Sequence, residues 1–323
     1  MSTAPERCCL VAAMFAICLS PVQQVLALAS PDVERAAASE VRGAFLAQGV
    51  GARAVGMGEA FVAVADDASA AAWNPAGLGR LGSMSAIAMH EIFTEGMGLS
   101  YAAVAIPVGP GALGFGLRIF SFGSFEQRDA AGGSLGTASP VDIAGQVAWG
   151  MRNAAWVGGN GWSGAAIEVV REDGLPGILP AVSAGIIVPV GSSLSLGAAA
   201  YHLGPRQDGF ALPASIAVGG SYAFSRRARV ALDAGRGLVD EESRLSLGGE
   251  CPLSRAVTVR AGYRWTSSTA TLGGIAGLTA GIGAKFTILE LDYALQPFGN
   301  VVTAHRFSVV YRRAPSGSQT SPH

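Results

Sequence analysis

Charge is scarce in this chain. Only 14% of its 323 residues are charged, half are hydrophobic, and the mean hydropathy is +0.39. So little charge cannot keep a surface of this size in water, which disfavours an ordinary aqueous globule and calls for a non-aqueous neighbour. The two signs nearly cancel, giving a net charge of −1 and a pI near 6.4. That leaves no basic face for a phosphate backbone and excludes nucleic acid as a partner. Cysteine is equally sparse. Of four, Cys8, Cys9 and Cys18 precede residue 19, so loss of that region would leave Cys251 alone and no intrachain disulfide framework. The four histidines, His90, His202, His305 and His323, are scattered without pairing, so a metal site has no support. There is no nucleophile elbow, Walker loop or paired-carboxylate motif. An enzyme is not expected, and no cofactor is expected.

A long unbroken apolar run is also lacking. No charged residue lies between Gly174 and Tyr201, and a spanning helix needs about 20 such residues. Pro176, Pro180 and Pro189 punctuate the stretch, however, and Val188 to Ser193 reads as a turn, so it divides into two shorter segments.

What is present begins with Arg7, an uncharged run from Cys8 to Val22 and the small-residue site Ala27-Leu28-Ala29. This predicts a secretory signal over residues 1–29, cut before Ser30. A lipoprotein signal at Cys18 is the rival, but Ile17 stands where a small residue is needed. The mature chain suits one β domain.

From about residue 83 onward, period two dominates. Val257, Val259, Ala261, Tyr263 and Trp265 alternate with Thr258, Arg260, Gly262, Arg264 and Thr266. The same division recurs over 278–287 and 289–296, and earlier over 113–119 and 143–152. Fourteen segments fit within 83–313, an even number as single-chain bacterial outer-membrane barrels require. Segments one and five alternate poorly. Connections after even-numbered segments are mostly tight, such as Pro110-Gly111, whereas those after odd-numbered ones tend to be longer, such as Ser124 to Pro140; Asn153 to Gly161 is an exception. Alternation alone also describes a soluble sandwich, but the count and loop layout favour a closed barrel, which pairs every strand edge in hydrocarbon. The expected fold is all-β: a transmembrane antiparallel up-and-down barrel of about 14 strands in the bacterial outer membrane, reached through the periplasm, with lipid as its neighbour. Arg118, Arg229, Asp233, Arg260, Arg264, Lys285, Glu290 and Asp292 occupy the polar phase and are expected to face the lumen, mostly neutralising one another. Trp149, Tyr222, Phe224, Tyr263, Trp265, Phe286 and Tyr311 lie near segment ends on or close to the apolar phase, as interfacial girdles do.

Two separated motifs then carry a resemblance. One is GARAVGMGEAFVAVADDASAAAWNPAGL over 51–78; the other is LDYALQPFGN from Leu291 followed by HRFSVVYR from His305. With them the chain resembles the FadL-like outer-membrane barrels, and more closely their PorV/PorQ branch. The resemblance implies a small N-terminal hatch inside the lumen, within residues 30–82, with its gating residues at Gly56, Gly58, Asp66, Asp67, Asn74, Pro75 and Ala76. Ala68 to Ala72 is expected to form a short helix capped by Asp66-Asp67 and ended at Asn74, which precedes Pro75. Read as an acid pair, Asp66-Asp67 has no complementary catalytic set. Gly49 to Ala54 matches a lax dinucleotide fingerprint but lacks the flanking strand pattern. The resemblance implies passage of hydrophobic small molecules of the long-chain fatty acid type. The alternative is a PorV/PorQ-like part in type IX secretion, holding secreted cargo or meeting secretion-system subunits. Residues 314–323 are expected to be a disordered polar tail.

Overall fold

A computed structural model describes residues 41–94, 96–153, 160–224, 228–267, 275–299 and 302–313. The expected signal over 1–29, residues 30–40 and the tail over 314–323 lie outside the described residues.

Fourteen strands close on themselves. They are β1 (Ser85–Ile92), β2 (Met97–Val108), β3 (Gly111–Phe122), β6 (Val141–Asn153), β7 (Gly161–Arg171), β8 (Leu179–Val190) and β9 (Leu194–Leu203), then β10 (Ser215–Ala223), β11 (Arg229–Gly237), β12 (Ser243–Pro252), β13 (Val257–Thr266), β14 (Leu278–Lys285), β15 (Leu289–Phe298) and β16 (Val302–Arg312). Each pairs antiparallel with its chain neighbour, and β1 pairs with β16 from Ser85 opposite Arg312 to Ile92 opposite His305. The stretch read as a plain loop, 124–140, instead carries a separate hairpin, β4 (Phe125–Arg128) with β5 (Ser134–Ala138). The proline-punctuated apolar run is β8 and β9, and no described helix is long and apolar enough to cross a membrane.

Side-chain alternation sorts the wall. On β7, Ile167 is 64% exposed while neighbouring Glu168 is 4% exposed. Val147, Val218, Leu232, Ile282, Leu291 and Phe307 likewise stand exposed on outward rows. A closed ladder with an apolar exterior and an acid-and-base interior is stable only with hydrocarbon outside. Exposed Tyr222 and Phe224 pack edge to face, 4.9 Å between centroids, at one end of that band. The tight connections, such as 109–110 and 191–193, share one end of the barrel; the longer ones, such as 123–140 and 204–214, share the other.

β1 and β7, the segments that alternated poorly in sequence, alternate in structure. Their inward rows hold Ile87 and Met89 on β1 and Ala166 and Val170 on β7, apolar side chains covered from within. Their burial is supplied by the N-terminal residues, which occupy the lumen.

Candidate functional site

Residues 43–82 lie almost wholly buried, and their partners are spread round the barrel. Arg118 of β3, Asp233 of β11, Glu250 of β12, Thr279 of β14 and Ser308 of β16 all bond to them. Only a segment inside the closed wall can reach all five. It contains a 3-10 turn (Ala44–Ala47), α1 (Ala52–Gly56), α2 (Ala70–Trp73) and a 3-10 helix (Pro75–Arg80). The expected helix is thus shorter and later than 68–72. Asp67 accepts from the Ser69 amide at 2.8 Å just ahead of it, and Asn74 is extended at its end, φ −163°.

Two contacts fix the segment, and both are made through wall glycines. Pro75 and Ala76 lie on Gly150 and Gly164, and Asn74 on Gly185. These three glycines sit directly opposite one another across β6, β7 and β8. A Cβ at any of the three would collide with the segment, twice with its backbone. Fully buried Asn74 donates through Nδ2 to the carbonyls of Val62 (2.9 Å), Ile186 (3.1 Å) and Ala198 (3.4 Å) and accepts from the Ala76 amide (3.1 Å). Across the lumen, Gly56 rests on Gly281, and Gly58, in the left-handed region at φ 62°, rests with Met57 on Gly248 and Gly262. The Gly58 amide donates to Thr279 Oγ1 at 3.0 Å. Small wall residues let backbone approach backbone.

A charge network joins segment to wall at the tight-turn end. Arg53 pairs with Asp66 (2.5 Å) and Glu250 (2.8 Å), and Arg229 with the same two at 3.3 and 3.1 Å. Arg260 spans Glu250, Glu290 (2.9 Å) and Asp292 (2.6 Å). Arg312 reaches Asp67 at 3.6 Å. Burial pushes the Asp66 carboxyl up, but Arg53, Arg229 and Arg312 outweigh it and hold the group well below the usual carboxylate range. The two motifs far apart in sequence therefore touch, through Arg312 and also through the Ala52 amide on Ser308 Oγ at 2.6 Å.

The remaining polar-phase residues are dispersed. Arg118 donates to the Phe45 and Leu46 carbonyls, Asp233 accepts from the Phe61 and Val62 amides, and Arg264 pairs with Glu59 at 3.1 Å. Lys285 is exposed at the end of β14, opposite Glu290 in register and outside the network. Among the partners not singled out in sequence are Glu250 and His202. Glu250 lies on the inward phase of β12 and was legible by alternation. His202 was not: a register shift between β8 and β9 near Val182 and Ala184 turns both Tyr201 and His202 inward, with His202 left-handed at φ 52°. His202 Nδ1 then meets Glu168 at 2.5 Å, and Tyr201 Oη donates to the Trp73 carbonyl at 2.6 Å.

Above the segment, toward the long-connection end, a cavity of about 80 Å³ is lined by Gln48, Glu59, Trp73, Tyr201, His202 and Asp233 among others. It is well below the roughly 300–1,000 Å³ of ordinary ligand clefts, so the segment leaves no open pore of that size here.

No family model matches this chain, and no curated protein sequence matches it. Solved structures share its fold. The toluene transporter TodX of Pseudomonas putida superposes with a TM-score of 0.59 at 13% identity, over 81% of this chain and 97% of that one. A FadL homologue of Pseudomonas aeruginosa gives 0.55 at 11% identity, over 82% and 98%. The architecture is that of the FadL-type closed barrel; at these identities the likeness is one of fold.

Proposed function

We propose that this chain is a bacterial outer-membrane channel passing hydrophobic small molecules, of the long-chain fatty acid type, through a lumen gated by the hatch at residues 51–78. One observation carries the reading: the hatch is seated on glycines of the wall, a joint made by backbone contact and one buried asparagine, while the wall itself is complete without it. The narrow cavity makes movement of the hatch a condition of passage for anything larger than a small head group. TodX, a toluene transporter of the same fold, supports a small apolar cargo.

A PorV/PorQ-like hold on secreted cargo would use the barrel as a scaffold and needs a surface to grip. The hairpin β4–β5 offers one, with Phe125 and Leu135 exposed. The test is permeability of the reconstituted protein in liposomes. Deleting residues 51–78 is expected to raise solute leakage while the barrel persists, and unchanged permeability removes the gate. Asn74→Ala with Pro75→Ala is expected to impair uptake with assembly intact; failure to accumulate would make the motif structural.

A further inference from the structure

Exposed charge is sorted between the two ends of the barrel. Among the described residues every exposed acid, Glu126, Asp129, Asp173, Asp208, Asp240 and Glu241, lies in the long connections. At the tight-turn end the exposed charges are Arg152, Arg255, Lys285 and Arg313, all basic. Arg152 is distant, on β6, where its guanidinium donates to Asn160 Oδ1 at 3.2 Å. The other three share one sector. The Lys285 amide donates to the Ala256 carbonyl at 2.6 Å, the Arg312 amide to the Ile288 carbonyl at 2.9 Å and the Arg313 amide to the Met84 carbonyl at 3.0 Å. Connections 253–256 and 286–288 and the end of β16 are therefore laced side by side along the rim. Glu290, opposite Lys285 in register, is turned inward onto Arg260 at 2.9 Å.

The same turns are apolar at their tips. Leu253, Phe286 and Ile288 are 62%, 58% and 42% exposed, whereas the tight connections 109–110 and 191–193, Gly-Pro and Gly-Ser-Ser, carry neither charge nor a large apolar side chain. Below them the sector runs straight into the lipid-facing band, with Leu289 opposite Tyr311 and Leu291 opposite Val309 on the outward rows. We propose that this sector binds an acidic phospholipid of the periplasmic leaflet, its phosphate held by Arg255, Lys285 and Arg313 and its acyl chains lying along Phe286, Leu289 and Leu291. Short turns face the periplasm in such barrels, and the outward row ends at the height of the head groups. Lys and Arg lay their stems on apolar surface and put the charge at that height. Turns this short offer little depth to grip a folded protein, while a lipid meets both the charge and the apolar tips. The site is on the outer wall and stands whether or not the lumen conducts.

The test is titration of the purified full chain in detergent with phosphatidylglycerol or phosphatidylcholine of the same acyl chains, read by native mass spectrometry. Each basic side chain near anionic lipid is worth about fivefold, so phosphatidylglycerol is expected to bind at least tenfold more tightly, and Lys285→Gln with Arg313→Gln to remove that preference. Arg171→Gln, an exposed arginine at the long-connection end, is expected to leave it unchanged. Folding is checked by heat-dependent gel migration; should the double variant fail there, each single variant is expected to lose at least threefold. Equal binding of the two lipids, a folded double variant that keeps the preference, or an equal loss in the Arg171→Gln control overturns the proposal. So does displacement of the lipid by equimolar glycerol phosphate, which would mark a bare anion site, or tighter binding of poly-L-glutamate, which would assign the rim to an acidic protein.

Discussion

Gly150→Ala combined with Gly164→Ala should unseat the lumen segment without opening the barrel wall. An added Cβ at either position meets the Pro75 carbonyl, and at Gly164 the Ala76 amide as well, all backbone atoms that cannot rotate aside. Overpacking of this kind costs about 1–3 kcal/mol per site. The strands themselves gain roughly 0.5–1 kcal/mol each on losing a glycine. The two positions face one another across β6 and β7, so their effects are coupled and the sum is not the simple total. A net loss of about 2–4 kcal/mol from docking changes the seated-to-unseated ratio by roughly 30- to 1,000-fold. Liposome swelling with a small sugar, together with tryptic cleavage at Arg53 and Arg80, reads the unseating, and heat-dependent gel migration reads the barrel. Gly145→Ala is the control, since a Cβ there meets nothing within 4 Å on the same strand. If the double variant keeps a sealed lumen and a protease-resistant segment, the glycine row is not what seats it.

Arg53→Ala leaves Asp66 and Glu250 short of a buried partner and should destabilise the protein by about 3–5 kcal/mol, seen as a lower thermal midpoint in detergent. Because Asp66 is held below its ordinary range, its contribution is full above about pH 4, the ordinary value, and is lost as pH falls through the lower folded value. The Asp66 contribution to seating should therefore be constant from neutral pH to about pH 5 and fall only in stronger acid; Asp66→Asn should shrink that acid step, the remainder belonging to Glu250, which pairs with the same Arg53 and Arg229, and an Asp66-dependent step near pH 6 would contradict the assignment. Ile167→Arg puts a charge on the outward row and should cost roughly 2–4 kcal/mol if that site is near the membrane midplane, blocking assembly into lipid. An Ile167→Arg protein that assembles normally would argue against hydrocarbon at that face.

The barrel was legible because the wall obeys one rule: every second residue faces outward, and along the middle of that row hydrocarbon makes charge costly. The inward phase follows no such rule. Where it faces the charge network it is polar, as at Arg260 and Asp292, and where it faces the lumen segment it is apolar or absent, as at Ile87, Met89 and Gly164. Alternation faded in β1 and β7 for that reason. Glycines such as Gly150 and Gly262 read in sequence only as members of the polar phase, since a row of them across strands exists only once register is known. His202 escaped altogether, because one extra residue in β9 reverses the phase after it.

The segment is tethered at both mouths of the barrel. At the long-connection end Arg42 pairs with Glu172 at 2.7 Å and its amide donates to the Ala211 carbonyl at 2.8 Å; at the other end the chain continues into β1 beside Arg312. It is a cord strung through a ring. Such a cord cannot be expelled toward the tight-turn side without dragging Arg42 down the full length of the lumen, so opening has to come from slack between the two knots, around 51–78, with both ends still tied.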